Sequence, residues 1–276
     1  MTIARLDAEL VRRGLARSRG HARELLESGR VRVFGVDRPK PSTPISDDIV
    51  VDVDGETEEW VGRGAAKLIA ALEAWTPSGL AVAGRRCLDA GASTGGFTQV
   101  LLAHGAGCVY AVDVGRGQLV DSLREDPRVV DLSGTTIRGL APEAVDGPVD
   151  LLVADLSFIS LRLVLGDLAA LTRPGGDLIL LVKPQFEVGK GRLGKHGVVT
   201  GARERLDALI AVAHAAQEVG LAVRALQTSP IVGGRGNTEY LMWAVSDPSA
   251  KMDPDTIRRQ AFGLGERATT PGEFHE

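Results

Sequence analysis

The stretch "RRCLDAGASTGGFTQVLLAHGAGCVYAVDVG", residues 85–115, constrains the fold more than any other. "CLDAG" reads as a short buried strand, and "GASTGG" as a tight turn. "FTQVLLAHG" has helical spacing, with Phe97, Val100, Leu101 and Leu102 facing inward and Gly105 as its stop. "CVYAVDVG" is a second buried strand that ends at Asp113, 22 residues after Gly91. Gly91, Gly95 and Gly96 allow backbone to approach a ligand at the helix N-terminus. Their spacing is Gly-x-x-x-Gly-Gly, not the Gly-x-Gly-x-x-Gly of dinucleotide sites, which disfavours a nicotinamide enzyme. Asp113 stands where an acid can accept both hydroxyls of a ribose. Asp89 closes the first strand and could face an ammonium group.

The alternation continues through "RVVDL" (128–132), "VDLLVADLSFIS" (149–160) and "GDLILLVKPQF" (176–186), each read as a strand. A long amphipathic helix at 202–220 follows, then two more strands, "LAVRALQTSP" and "TEYLMWAVS". Such alternation predicts an α/β fold with a parallel, doubly wound sheet. Ligands of these sheets bind outside the carboxyl ends of the strands, where Asp89, Asp113, Asp155 and Lys183 all fall. Lys67 opens a helix within "WVGRGAAKLIAALEAW", and Glu239 lies at the start of the last strand. A glycine-rich basic loop, "FEVGKGRLGKHGVV" (186–199), supplies Lys190, Arg192 and Lys195 as clamps for RNA phosphates.

The N-terminus is different in character. The whole chain of 276 residues has a net charge of −4, yet residues 1–40 carry ten Lys or Arg against five acids, a local +5 that leaves −9 for the remainder. A basic module attached to an acidic body is expected. In "RLDAELVRRGLARSRGHARELLESGRVRVFG", Leu6, Leu10 and Val11 mark a first helix closed by Gly14. Ser18 caps a second helix, with Ala22, Leu25 and Leu26 on its apolar face and Gly29 as its stop. "RVRVFG" and "IVVDV" are short strands around a turn-rich "RPKPSTPISDD". The head resembles the S-four-type RNA-binding domain, an α+β unit. The resemblance implies RNA contact through Arg5, Arg12, Arg13, Arg17, Arg19 and Arg23.

The body has its own resemblance. The glycine loop is similar to the S-adenosylmethionine (SAM) loop of methyltransferases. "RGAAKL", "DAGASTGGF", "VADLSFISL", "LVKPQFEVGKG" and "GNTEYLMW", in that order behind such a head, resemble the TlyA family, whose catalytic half is FtsJ-like and Rossmann-like. The resemblance implies SAM-dependent methylation of the ribose 2′-hydroxyl of cytidine in ribosomal RNA (16S, 23S or both). It implies a catalytic set of Lys67, Asp155, Lys183 and Glu239, with Arg63 on the RNA side. It places the cofactor on Asp89, Gly91, Ser93, Thr94, Gly95, Gly96, Phe97, Asp113 and Asp155. A lysine beside the hydroxyl orients it and stabilises developing alkoxide charge, so no metal is required. The expected organisation is an RNA-binding domain at 1–54, a linker at 55–64, the methyltransferase domain at 65–247, and a partly disordered extension at 248–276.

Cys87 and Cys108 sit in strand-like runs and form neither a disulfide framework nor a metal site. Core positions in a cytoplasmic monomer are expected. Relatives of this family have also carried the label haemolysin, but no apolar span, basic amphipathic helix or secretion signal is visible. A non-catalytic ribosome-assembly factor keeping the fold is the other alternative. Methyl transfer separates it from the enzyme.

Overall fold

The computed structural model describes residues 3–267, apart from 14, 17–18, 47–48, 54–59, 190, 192, 234–235 and 250–252; the side chains of 195, 254 and 265–267 also lie outside the described set. The chain divides into two compact units, Met1–Val61 and Gly62–Glu276.

In the first unit, β1 (Ile3–Arg5) leads directly into α1 (Leu6–Arg12), followed by α2 (Arg19–Glu27), β2 (Val31–Val33), β3 (Pro44–Ser46) and β4 (Val51–Val53). No side chain caps α1. Its first free amides instead donate to loop carbonyls, Leu6 N to Thr43 O (2.8 Å) and Asp7 N to Pro41 O (3.0 Å). Gly29, at φ +71°, takes the left-handed turn that ends α2. The strands pair antiparallel as β1–β3 and β2–β4. β3 departs from the expected turn. Pro44 occupies its first position, where a missing N–H costs least, and Ile45 is buried with Leu6, Leu10, Leu25 and Val31. Gly14 and Ser18 lie outside the described residues.

The second unit contains α3 (Ala65–Trp75), β5 (Arg86–Ala90), α4 (Gly96–Ala103), β6 (Cys108–Asp113), α5 (Asp121–Arg124), β7 (Val129–Ser133), β8 (Val149–Ala154) and α6 (Leu165–Ala170). It continues with β9 (Thr172–Val182), α7 (Pro184–Glu187), α8 (Ala202–Glu218), β10 (Leu221–Thr228), β11 (Tyr240–Ser246) and α9 (Pro254–Arg267). The strands form one sheet in the order β10-β11-β9-β8-β5-β6-β7. It is mixed, not wholly parallel: β11 runs antiparallel to both β9 and β10. The reason is local. Among the described residues no α-helix separates β10 from β11, and the short connection lets the chain turn back, as antiparallel pairing allows and parallel pairing does not.

The helices α6, α8 and α9 share one apolar core with the sheet face of Leu88, Val112, Leu152, Leu180 and Met242. Ile257 and Ala261 of α9 are fully buried there, so this core extends past residue 247. On the other face, Trp75 of α3 stacks on Trp243 of β11 with ring centroids 6.0 Å apart. The indole of Trp243 donates to Asp177 (2.8 Å), which also pairs with Arg85 (2.5 Å). This peg fixes the angle of α3 against the sheet.

Candidate active site at the carboxyl edge of the sheet

The strands deliver their polar residues to one edge. β8 stops at Ala154, so Asp155 begins the following loop rather than ending the strand. β9 ends at Val182. Lys183 is held extended (φ −111°, ψ 99°) because a residue before proline is barred from the helical region, and Pro184 then starts α7. Tyr240 pairs with Val182. Because β11 is reversed, its first residue, not its last, lies at the carboxyl edge, and Glu239 arrives beside the others. Lys67 comes from the first turn of α3.

These four side chains form one chain of charges. Lys67 Nζ lies 2.8 Å from Glu239 Oε2 and 3.3 Å from Asp155 Oδ2. Lys183 Nζ lies 2.6 Å from Asp155 Oδ1 and donates to Ser157 Oγ at 2.8 Å. Asp155 therefore bridges the two lysines. Glu239 is 2% exposed, Lys67 7% and Lys183 8%. Charges so deeply placed persist only when paired, and two cations here face two anions. An ammonium has three N–H donors. Lys183 donates one of these to Ser157 and is ion-paired with Asp155 without a hydrogen bond between them, so among the described residues it keeps donor capacity for a ligand.

Two cavities meet at this edge. One, of about 430 Å³, is lined by Gly91, Ser93, Asp113, Thr135, Thr136 and Asp155 among others. The other, of about 540 Å³, includes Lys183, Gln185, Phe186 and Glu239. They share the segment Ser157, Phe158 and Ile159. Lys183 and Glu239 belong to the second cavity alone.

The first cavity takes only part of the expected cofactor set. Asp113 is oriented by two backbone amides, Ser93 N to Oδ2 (2.9 Å) and Gly115 N to Oδ1 (2.7 Å). Gly91, at φ +89°, passes the Asp155 backbone so closely that a Cβ would lie 2.8 Å from its carbonyl oxygen. Gly95 and Gly96 serve packing instead: a Cβ on Gly95 would strike Leu119 and Leu123, and one on Gly96 would press on the start of α3. Thr94 and Phe97 do not line the cavity, and Phe97 is buried. Asp89 does not line it either. It is fully buried under α4, with Oδ2 accepting the Thr98 hydroxyl (2.7 Å) and Oδ1 unpartnered. Burial pushes its carboxyl up to about 7, so its place facing an ammonium group is not found.

Several wall residues had no signal of their own in the sequence. Ser157 holds Lys183. Phe158 is 92% exposed at φ +65°, a strained position for a bulky residue, and its ring lies 5.6 Å from that of Phe186. Buried Glu187 accepts from Ser160 Oγ (2.6 Å), Leu161 N (2.7 Å) and Arg162 Nε (3.2 Å), which ties the loop after β8 to α7. Thr135 and Thr136 join the first cavity from the loop after β7.

The arginines of the first unit are organised by acids that a charge count cannot locate. Asp7 is fully buried and draws in Arg5 (3.1 Å), Arg19 (3.0 Å) and Arg23 (3.6 Å), all about half exposed. These partners hold its carboxyl well below the usual range. Glu9 gathers Arg12 and Arg13, which lower its carboxyl to about 2. Arg13 also donates to Ile49 O (2.5 Å) and Ser46 O (3.1 Å), and its side chain is only 18% exposed. It braces the fold rather than the surface. Arg63 is exposed ahead of α3. Arg17, Lys190 and Arg192, and the side chain of Lys195, lie outside the described residues.

Residues 60–245 match the family of FtsJ-like methyltransferases, and residues 4–46 match the S4 domain. A Mycobacterium tuberculosis protein, 16S/23S rRNA (cytidine-2′-O)-methyltransferase TlyA, is 56% identical over 261 residues, covering 93% of this chain and 96% of that protein. A Campylobacter jejuni 23S rRNA (cytidine-2′-O)-methyltransferase TlyA is 36% identical over 192 residues, 69% of this chain and 73% of its own. A solved Streptococcus thermophilus structure with a provisional hemolysin label aligns at TM-score 0.76 and 36% identity, covering 97% of this chain and 98% of that one. Among the described residues of the present chain, no helix is long and apolar enough to cross a membrane.

Proposed function

Because the chain belongs to the TlyA family of FtsJ-like methyltransferases, with an S4 domain ahead of the catalytic unit, we propose that it methylates the ribose 2′-hydroxyl of cytidine in ribosomal RNA, 16S, 23S or both, with SAM as donor. The observation that carries this reading is the buried chain Glu239–Lys67–Asp155–Lys183 at the junction of two cavities.

The first cavity fits an adenosyl group: Asp113 offers carboxylate oxygens to ribose hydroxyls, and Gly91 removes the side chain that would close the passage beside Asp155. Bound there, SAM supplies an electrophilic methyl group that needs little further activation. The residues of the chain then have two tasks, alignment and charge. The free N–H of Lys183 points a 2′-oxygen and stabilises it as negative charge develops. Asp155 and Ser157 hold that ammonium in place. Lys67 fixes Asp155 from the far side, and Glu239 fixes Lys67. The hydroxyl proton is taken by the Asp155 carboxylate, whose Oδ1 lies 2.6 Å from Lys183 Nζ. Arg5, Arg12, Arg19 and Arg23, with Arg63, supply phosphate contacts. The partner is folded rRNA, and no membrane is involved.

The test is transfer of labelled methyl from SAM to separated small and large ribosomal subunits that lack the modification. Wild type is expected to label ribose. Lys183→Ala is expected to bind SAM as wild type does, since Lys183 does not line the first cavity, and to label nothing. Wild-type turnover by Lys183→Ala would overturn the lysine's role. Absence of label on both subunits with SAM bound would favour a non-catalytic assembly factor.

A further inference from the structure

Glu239 ends the charge chain, so whatever fixes its carboxylate also fixes Lys67 and, through Lys67, Asp155. Two side chains hold it by charge and hydrogen bonding. Lys67 Nζ lies 2.8 Å from Oε2, and the Gln185 amide donates to Oε1 at 3.3 Å. A third contact is made by backbone. Gly233, in the connection between β10 and β11, lies so close that a Cβ on it would stand 2.0 Å from Glu239 Oε1, 2.4 Å from Cδ and 3.0 Å from Oε2. A side chain at 233 and the Glu239 carboxylate cannot share that space.

Glycine is often needed for its backbone conformation. Gly236, in the same connection, is such a case, with φ +84° and open space where a Cβ would stand. Gly233 is the opposite case. Its φ is not positive, so its backbone would accept alanine, and the atoms nearest to the added Cβ all belong to Glu239. A clash with a side-chain tip is cheap where the tip can swing away. Here neither partner is loose. Glu239 is 2% exposed and paired with Lys67. The glycine backbone is tied as well: Gly233 N donates to Asn237 O at 2.8 Å, and Gly233 O accepts from Gly236 N at 3.1 Å. Ser229 N donates to Glu239 O at 2.9 Å and closes the connection where the strands meet it. Buried Asn237 anchors it further, accepting from Val199 N (3.0 Å) and donating to Gly197 O (3.2 Å).

We propose that Gly233 is a positioning residue for methyl transfer: the space left by its missing side chain is the seat that holds the Glu239 carboxylate against Lys67. Gly233 lines neither cavity and acts through Glu239. A methyl group in the seat displaces the carboxylate by about 1 Å, because real Cβ contacts do not fall below 3.0 Å. That shift disturbs the 2.8 Å pair with Lys67, and misplacing a site by about 1 Å can cost about 100-fold in rate. This inference rests on the methyltransferase reading above and deepens it.

The experiment compares full-length Gly233→Ala with wild type and with Gly166→Ala, in α6, where an added Cβ meets open space. Transfer of labelled methyl to unmodified subunits, SAM affinity and the denaturant midpoint are read for each. Gly166→Ala is expected to match wild type in methyl transfer. Gly233→Ala is expected to lose about 10- to 100-fold in kcat while SAM affinity stays within about twofold, because neither Gly233 nor Glu239 lines the first cavity. Repeating the substitution in Glu239→Ala, which empties the seat, separates this role from packing in general. Gly233→Ala is expected to lower the unfolding midpoint when Glu239 is present and to leave it unchanged in the Glu239→Ala background. The proposal falls if Gly233→Ala keeps the wild-type kcat. It falls equally if the midpoint drops by the same amount in both backgrounds, since the methyl group then strikes something other than the carboxylate. Loss of SAM binding by Gly233→Ala also overturns it. No methylation by wild type would overturn the enzyme reading instead, while the midpoint comparison would still judge the seat.

Discussion

Lys67→Met is the perturbation that best isolates the electrostatics of the site. Glu239 is 2% exposed and faces Lys67 Nζ at 2.8 Å. Methionine fills much of the lysine volume but carries no charge. What remains for Glu239 is the Gln185 amide at 3.3 Å, a neutral donor. Stranding a buried charge by removing its partner costs about 3–5 kcal/mol. Asp155 keeps Lys183 at 2.6 Å and is more exposed, so most of the penalty belongs to Glu239. Replacing Glu239 by Gln in the same chain removes the stranded charge and should restore about 2–3 kcal/mol, a strong coupling between neighbouring residues. Denaturant unfolding reads this directly, followed by the fluorescence of Trp75 and Trp243, which stack in the same unit. Methyl transfer stays absent in both variants, because neither can hold Asp155 from the α3 side. If Lys67→Met lies within about 1 kcal/mol of wild type, or if Lys67→Met/Glu239→Gln is no more stable than Lys67→Met, the site is not held by the charge pairing described.

Asp89→Asn should raise stability by about 4 kcal/mol at pH 8 and change little at pH 4. Its carboxyl is raised to about 7 in the folded protein, so its contribution is fully present below the unfolded value and is lost as pH rises through 7. A pH-independent difference in unfolding midpoints would contradict this. Glu187→Ala should destabilise the body by about 1–3 kcal/mol, because it orphans the buried amide of Leu161. It should also lower kcat on RNA, and Glu187→Gln, which still offers that amide an acceptor, should recover both; no recovery in steady-state kinetics would count against the tie. In the head, Arg19→Ala should weaken RNA binding and reduce the salt slope by about one. Arg13→Ala should lower head stability and leave that slope unchanged, as a salt titration of binding would reveal.

The glycine turn, the edge acids and Lys183 were legible because each sits at a strand terminus, and strand termini can be read from where apolar runs stop. Glu239 was found by resemblance. Its actual proximity depends on the reversal of β11, which follows from the short connection of about eleven residues between the last two strands. Gly95 and Gly96 were legible as glycines but not as packing contacts, since Leu119 and Leu123 beside Gly95, and the backbone of Gly62 and Ala65 beside Gly96, lie more than 20 residues away. Asp89 looked like a ligand-facing acid because alternation along a strand does not say which face holds the ligand. Ser157, Phe158 and Gln185 carry no periodic signal, and the positive φ of Phe158 has no mark in "DLSFIS". Counting charge found a basic head but could not show that Asp7 and Glu9 are inside it.

The position of β11 has a consequence for the timing of synthesis. β11 does not add to the rim of the sheet. It inserts between β9 and β10, and its first pairing, Tyr240 with Val182, also brings up Glu239. The chain emerges from its N-terminus, so the glycine loop, Asp155 and Lys183 can all be folded while the charge chain still lacks its last member. On the proposed mechanism, a chain ending before this strand has both lysines but not the Glu239 that anchors Lys67. On that mechanism, competence is gained late, when the final interior strand has found its place.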